Sequence, residues 1–237
     1  PTTTYSTRGD QANWRAVNLR PNRLGSDLTL VGPDGSETEM TVPLPGAFNV
    51  SNAVAAVVAL VSQGFDLAQL VAEIATLAGV PGRMERVEAG QQFTVVVDYA
   101  HKPEAIEAVL TALRPVTAGR LIVVLGAGGD RDRGKRPIMG EVAAKLADVL
   151  IVTDDNPRSE DPAAIRSAVL AGTQDAMAMT SEISDRREAI AAAVAQARPG
   201  DTVVVAGKGH EQGQQVGDIV HPFDDREVLL DLLGELP

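Results

Sequence analysis

The sequence predicts an α/β protein whose larger, C-terminal part is a doubly wound, mostly parallel sheet with helices on both faces. Two observations carry that expectation. From about residue 93 onward, short runs rich in Val, Ile and Leu alternate regularly with longer amphipathic stretches. This is the pattern of parallel strands joined by crossover helices. The clearest runs each end in a polar cluster: D-Y-A-H-K-P, G-A-G-G-D-R-D-R-G-K-R-P, T-D-D-N-P-R and A-G-K-G-H-E-Q-G-Q. Ligands of open α/β sheets bind beyond the carboxyl ends of the strands, so four such clusters on one edge point to a site there.

The elements follow in order. Residues 1–45 read as short strands and turns, because N-W-R-A-V-N-L-R, D-L-T-L-V-G-P-D-G-S and T-E-M-T-V-P-L-P are β-rich runs split by Gly, Pro and Asp. Within them, Pro33-Asp34-Gly35 is a hairpin-type turn signal. Two helix-like stretches rich in Ala, Val and Leu follow at 50–63 and 66–77, with Asn49 or Ser51 as the candidate cap of the first. Gly79-Val80-Pro81-Gly82 breaks this pattern and is the candidate hinge. Strands are then expected at 93–98, 120–125, 148–153 and 202–206, with a weaker one near 177–180. Helices are expected at 103–114, 137–146, 162–171, 185–197 and 224–233. Asp161-Pro162 is a good N-cap followed by proline at the first helical position. There is no internal repeat and no low-complexity tract.

Composition narrows the function. With 237 residues, 44% hydrophobic and 22% charged, the chain has the make-up of an ordinary globular protein with room for one large domain or two modest ones. The longest apolar run, around 53–61, is too short to span a bilayer. A net charge of -11 and only 3% aromatic residues argue against nucleic acid, which needs a clustered basic face and stacking surfaces. An anionic ligand therefore requires a local basic pocket. The absence of cysteine excludes disulfides, thiol catalysis and Cys-type zinc sites, and fits a cytoplasmic setting. The opening P-T-T-T-Y-S-T-R has no apolar signal core and no initiator Met, so the chain is expected to be a piece of something longer.

Two nucleotide motifs fail at Gly126 to Pro137. G-A-G-G-D-R has Arg131 where the dinucleotide fingerprint needs its last glycine, and G-D-R-D-R-G-K-R ends in Arg136, which lacks the hydroxyl a P-loop places on magnesium. The segment reads better as a Gly-rich turn presenting Arg131, Arg133 and Lys135 to an anion, although a solvated basic turn also accounts for it. Asp98 at a strand end suits a ribose hydroxyl and His101 suits a phosphate, but both residue types also serve as caps. In A-G-K-G-H-E-Q, glycines on either side of Lys208 let backbone approach a ligand, and Glu211 stands as a cation acceptor. No spacing of His, Asp and Glu resembles a metal cage.

The cluster D-D-N-P-R-S-E-D-P leaves Asp154, Asp155 and Arg158 without a turn-forming role. Arg158 offers a planar fork for a carboxylate. Asp155 and Asn156 offer oxygens for an ammonium group, and Arg131 with Glu211 repeats the pair of capabilities. Such a rim suits a small zwitterion with two amino-acid ends. A mutual Asp–Arg salt-bridge network accounts for the same residues equally well.

Six segments give the chain a resemblance to the Mur ligase family. They are G-A-F-N-V-S-N-A-V-A-A, G-V-P-G-R-M-E, V-D-Y-A-H-K-P, G-A-G-G-D-R-D-R-G-K-R-P, D-N-P-R-S-E-D-P and G-K-G-H-E, in that order along the chain. D-N-P-R is the most specific and resembles the MurE-type branch, which adds meso-diaminopimelate rather than lysine. The resemblance implies residues 1–80 as the C-terminal tail of a central ATP-binding domain, and 81–237 as the Rossmann-like C-terminal domain that binds the amino-acid substrate and part of ATP. It implies an ATP-dependent amide ligase: ATP phosphorylates the glutamate carboxyl of UDP-MurNAc-L-Ala-D-Glu, and the amine of diaminopimelate attacks the acyl phosphate.

By the same resemblance, Arg131, Asp155, Asn156, Pro157, Arg158, Gly207 and Glu211 match diaminopimelate-binding positions. Asn52, Arg83, Asp98 and His101 match ATP-contacting positions. The family's G-T-x-G-K-T, carbamylated lysine and magnesium ligands have no counterpart in this sequence. No catalytic residue and no metal ligand is therefore expected here, Mg2+ being held by a preceding part, and the chain alone is expected not to turn over. No membrane partner is expected. A stand-alone amino-acid-binding module and an NAD-dependent dehydrogenase of similar fold are the other readings of the pattern.

Overall fold

The computed structural model describes residues 2–22, 24–174 and 176–236. The chain divides into two compact units between Gly79 and Val80. In the first unit, strands β1 (Tyr5–Ser6), β2 (Trp14–Asn22), β3 (Gly25–Val31) and β4 (Glu37–Val42) form one sheet in that order, followed by helices α1 (Ala47–Val61) and α2 (Leu67–Ile74). Trp14, Leu28, Leu30 and Val42 from the sheet pack with Val50, Val54 and Val57 of α1. The turn at Pro33 to Gly35 forms as expected. The Asp34 carboxylate accepts from the Ser36 N–H at 3.0 Å, and Gly35 takes the positive φ of 81° that a side chain would resist. The capping expectation for α1 fails. The helix starts at Ala47, its cap is Gly46 with no side-chain bond, and Asn49 lies within the first turn, donating to the Pro45 carbonyl at 2.8 Å.

In the second unit the elements are β5 (Glu85–Arg86), β6 (Thr94–Asp98), α3 (Pro103–Leu113), β7 (Leu121–Ala127), α4 (Lys135–Leu146), β8 (Val149–Asp154), α5 (Pro162–Leu170), β9 (Met179–Glu182), α6 (Arg186–Gln196), β10 (Thr202–Ala206), β11 (Gly213–Val216), β12 (Ile219–Pro222) and α7 (Asp225–Gly234). The sheet order is β5-β6-β10-β7-β8-β9, with β5 antiparallel to β6 and the other pairings parallel. Successive side chains of a strand point to opposite faces, and here they fill two cores. Val96, Val123, Leu125, Leu150 and Val204 pack with α3, α4 and α5, whereas Val95, Val97, Ile122, Ile151 and Val205 pack with α6 and α7. This is the doubly wound sheet the alternation predicts.

Asp161 caps α5, accepting from Ala163 N–H at 3.0 Å, and Asp185 and Asp224 cap α6 and α7 in the same way. Helix α4 begins at Lys135, two residues before the expected proline start. Pro137 is accommodated because the amides of a first helical turn have no intrahelical partner. Two elements escape the sequence pattern, the short β5 and the hairpin β11–β12.

Candidate functional site

The carboxyl ends of β6, β7, β8 and β10 meet at a cavity of about 670 Å3, lined in part by His101, Arg131, Asp155, Asn156, Arg158 and Glu211. Glycines make the convergence possible. A Cβ on Gly126 would lie 2.9 Å from the Asp155 Cβ, and one on Gly129 would lie 1.9 Å from the Pro157 carbonyl oxygen. Gly207, at φ 117°, leaves room for the Asp155 Oδ2, which a Cβ would approach to 2.6 Å. Three strand ends thus sit closer together than side chains would permit.

The charges in D-D-N-P-R-S-E-D-P separate into two groups. Asp154 pairs with Arg166, which also binds Glu182. Glu160 takes Arg136 at 2.8 Å and Arg133 at 3.1 Å, and the Arg136 hydrogen bond, with the Asp130 N–H, holds its carboxyl down at about 2. These pairs are structural, and they withdraw Arg133 from the expected anion-binding set. Arg131 and Arg158 are left: among the described residues their hydrogen-bond partners are carbonyls, Asp130 O at 2.9 Å and Gly129 O at 2.7 Å. Arg158 has φ 53°, an uncommon conformation for a residue with a side chain. Asp155 is buried as a residue, at 6% exposure, and its carboxylate lines the cavity with no hydrogen-bond partner among the described residues. A mutual Asp–Arg network is therefore not what occupies this rim.

Asn156 departs from the expectation of an oxygen free for an ammonium group. Its Oδ1 already accepts from Lys208 Nζ at 3.1 Å and from the Gln215 N–H at 2.9 Å, while its Nδ2 donates to Glu211 Oε2 at 2.8 Å. Asn156 is a hub that fixes Glu211, and its remaining valency is one Nδ2 hydrogen. Lys208 is wholly buried and stands 3.5 Å from Glu211, so it supports this wall from behind. The glycines flanking Lys208 signalled close approach of the backbone; nothing in the sequence signalled that its ammonium points inward. Pro157 is not among the lining residues; its carbonyl packs on Gly129 and accepts from Glu160 N–H at 3.1 Å.

The expected nucleotide contacts divide as well. His101 lines the cavity, beside Lys102 and Lys135. Burial lowers the Lys135 ammonium from its ordinary value, against the opposing pull of Asp132 and Asp155. Asp98 does not line the cavity, and its two oxygens accept from Ala100 and Met84 N–H at 2.8 and 2.7 Å. Burial raises its carboxyl above the ordinary range despite those bonds. Arg83 stacks over the Tyr99 ring at 4.5 Å, and Tyr99 meets His101 edge-on at the same separation. Asn52 belongs to the first unit, on α1. Among the described residues no group of three or more His, Cys, Asp or Glu is placed to hold a metal ion, and no helix is long and apolar enough to cross a membrane.

Residues 82–209 match the family described as Mur ligase, glutamate ligase domain, and residues 1–60 match the Mur ligase middle domain. The chain belongs to the Mur ligase family. Relatives in Streptomyces avermitilis and Brucella melitensis, both described as UDP-N-acetylmuramoyl-L-alanyl-D-glutamate–2,6-diaminopimelate ligase, are 50% identical over 99% of this chain and 56% identical over 79% of it. These matches cover 47% and 38% of the relatives, so the chain spans about half the length of the Mur ligases it resembles. A solved structure of an enzyme of the same description superposes with a TM-score of 0.73 at 41% identity, over 98% of this chain and 47% of the other. A Thermotoga maritima UDP-N-acetylmuramate–alanine ligase, at 20% identity and TM-score 0.68, shares the Mur ligase fold.

Proposed function

We propose that this chain supplies the amino-acid pocket of an ATP-dependent amide ligase that joins meso-2,6-diaminopimelate to UDP-MurNAc-L-Ala-D-Glu in the cytoplasm, for peptidoglycan precursor synthesis. The observation that carries the reading is the pairing of the unbonded Asp155 carboxylate with two arginine forks, Arg131 and Arg158, that have no carboxylate within ion-pair distance among the described residues, all facing one cavity. An acid with no protein donor and guanidiniums bonded only to carbonyls keep hydrogen-bonding capacity for a ligand. A molecule with two α-amino acid ends brings two carboxylates for the arginines and ammonium groups for Asp155 and Glu211. Gly207 gives the backbone clearance beside Asp155, and Asn156 orients Glu211. Pro157 acts through its carbonyl packing rather than by contact.

In the reaction, ATP phosphorylates the glutamate carboxyl. One diaminopimelate amine, as the free base, then attacks the acyl carbon: the C–N bond forms, phosphate leaves with the C–O electron pair, and the nitrogen loses a proton. This chain's residues hold the amine and the distal end in position, which makes attack effectively intramolecular. His101 and Arg83 are the proposed ATP contacts of the second unit, where Asp98 shapes the region by accepting from the Met84 and Ala100 amides, and Asn52 is a proposed ATP contact of the first unit taken by itself. Magnesium belongs with residues outside this chain. The test is ligation by the full-length enzyme carrying Arg158→Ala or Arg158→Lys. KM for diaminopimelate should rise steeply with KM for ATP nearly constant, and the Lys variant should recover little because an ammonium does not replace a bidentate fork. Unchanged diaminopimelate dependence would remove Arg158 from the pocket.

A further inference from the structure

Strands β11 and β12 pair only with each other in register, as a two-stranded antiparallel sheet outside the main one. Ile219 and Val220 on it are 62% exposed. A lone two-stranded hairpin is marginal in water, so its contacts with the rest of the unit matter. Three of them fall on the loop that carries the pocket. The Arg158 N–H donates to Gln215 O at 3.0 Å, the Gly217 N–H donates to Arg158 O at 2.7 Å, and the Gln215 N–H donates to Asn156 Oδ1 at 2.9 Å. Arg158 and Val216 form a bridge of the parallel type. The peptide on each side of Arg158 is thus gripped by the hairpin.

We propose that the β11–β12 hairpin is a specificity-determining element, in which Gln215 and Gly217 are positioning residues that set Arg158 at φ 53° and aim its guanidinium over Gly128. Left-handed backbone at a non-glycine residue persists only where its surroundings over-determine it. Around Arg158 those surroundings are the hairpin amide and carbonyl. The hairpin in turn depends on its loop. Gly217 and Asp218 connect the paired residues Val216 and Ile219, and Gly217 takes φ 58° at the first central position, where such a turn wants glycine. This inference rests on the reading of the cavity as the diamino-acid pocket.

Gly217 offers a clean perturbation, because a Cβ there meets nothing within 4 Å. Gly217→Val therefore acts through backbone conformation alone. Gly90 is the matched control, with φ 92° and equally open space, away from the cavity lining. In the full-length ligase, Gly217→Val should raise KM for diaminopimelate by about tenfold, with kcat at saturation and KM for ATP changed by less than about twofold. Gly90→Val should leave all three near wild type. In the unsubstituted enzyme, saturating diaminopimelate should slow hydrogen exchange at the Arg158 and Gly217 amides, since ligand and hairpin stabilise the same loop. That measurement stands even if Gly217→Val does not fold.

An unchanged KM for diaminopimelate in Gly217→Val, with a raised KM in Arg158→Ala, overturns the hairpin's role and leaves the pocket intact. An unchanged KM in both variants overturns the pocket and this inference together. Equal losses in Gly217→Val and Gly90→Val, or exchange at the two amides that diaminopimelate does not alter, also overturn it.

Discussion

Removing the Arg186 guanidinium should destabilise the C-terminal unit by about 3–5 kcal/mol, the range for breaking a buried ion pair by taking away one partner. Arg186 and Asp225 are both 0% exposed in their side chains, and the guanidinium meets the carboxylate through Nε and Nη2 at 2.7 Å each. Its Nη2 also donates to Ala206 O at 3.1 Å and its Nη1 to Asp154 O at 3.4 Å, tying the ends of β10 and β8 just before Gly207 and Asp155. Arg186→Met leaves a charged, desolvated carboxylate and removes those carbonyl donors. Arg186→Met/Asp225→Leu removes the stranded charge and leaves only the carbonyl loss, roughly 1–2 kcal/mol. The double variant should therefore be more stable than Arg186→Met by about 1–4 kcal/mol. Because the chain has two compact units, a global melt need not be two-state, and native-state hydrogen exchange at the β8 and β10 amides is the suitable assay. A loss under about 1 kcal/mol in the single variant, or a double variant no better than the single, would refute the reasoning.

Three further outcomes follow from the same geometry. The Glu160 carboxyl is depressed from 4.5 to about 2 by its Arg136 hydrogen bond, so its stabilisation is complete above 4.5 and is lost as pH falls towards 2. Glu160→Gln should flatten the acid limb of the stability curve in that window, as followed by circular dichroism; an unchanged limb would count against it. Asp161→Ala should cost about 1 kcal/mol through the lost α5 cap, with diaminopimelate affinity unaltered in calorimetry. Gly129→Ala should lower both melting temperature and diaminopimelate affinity. Its Cβ would sit 1.9 Å from the Pro157 carbonyl, so the loop carrying Asn156 and Arg158 must move; wild-type values for both would contradict the packing.

The sheet was legible because its four central strands, β6, β7, β8 and β10, are apolar on both faces and three of its helices, α5, α6 and α7, begin at Asp caps, signals that are local in sequence. The first α1 turn was not, because Gly46 caps by conformation rather than by a side chain. The hairpin β11–β12 was missed because G-Q-Q-V and I-V-H-P are short, and their fixed position comes from bonds to Asn156 and Arg158 about 55 to 60 residues earlier. In the site, residue types at strand ends pointed to Arg131, Asp155, Arg158 and Glu211, which share the cavity. Sequence could not separate those residues from Asp154, Arg133 and Glu160, since which acid meets which arginine is decided by tertiary distance. For the same reason Asn156 looked like a free acceptor. Its oxygen is filled by Lys208 and Gln215, both more than fifty positions away.

Calorimetric titration of the full-length ligase with meso-diaminopimelate and with lysine, in the wild type and in Arg158→Ala, tests the pocket most directly. Lysine lacks one carboxylate, so a fork reserved for that group should matter to diaminopimelate alone. The account predicts that Arg158→Ala costs diaminopimelate about 2–5 kcal/mol of binding and costs lysine far less. Equal losses for the two ligands, or no loss for either, would contradict it.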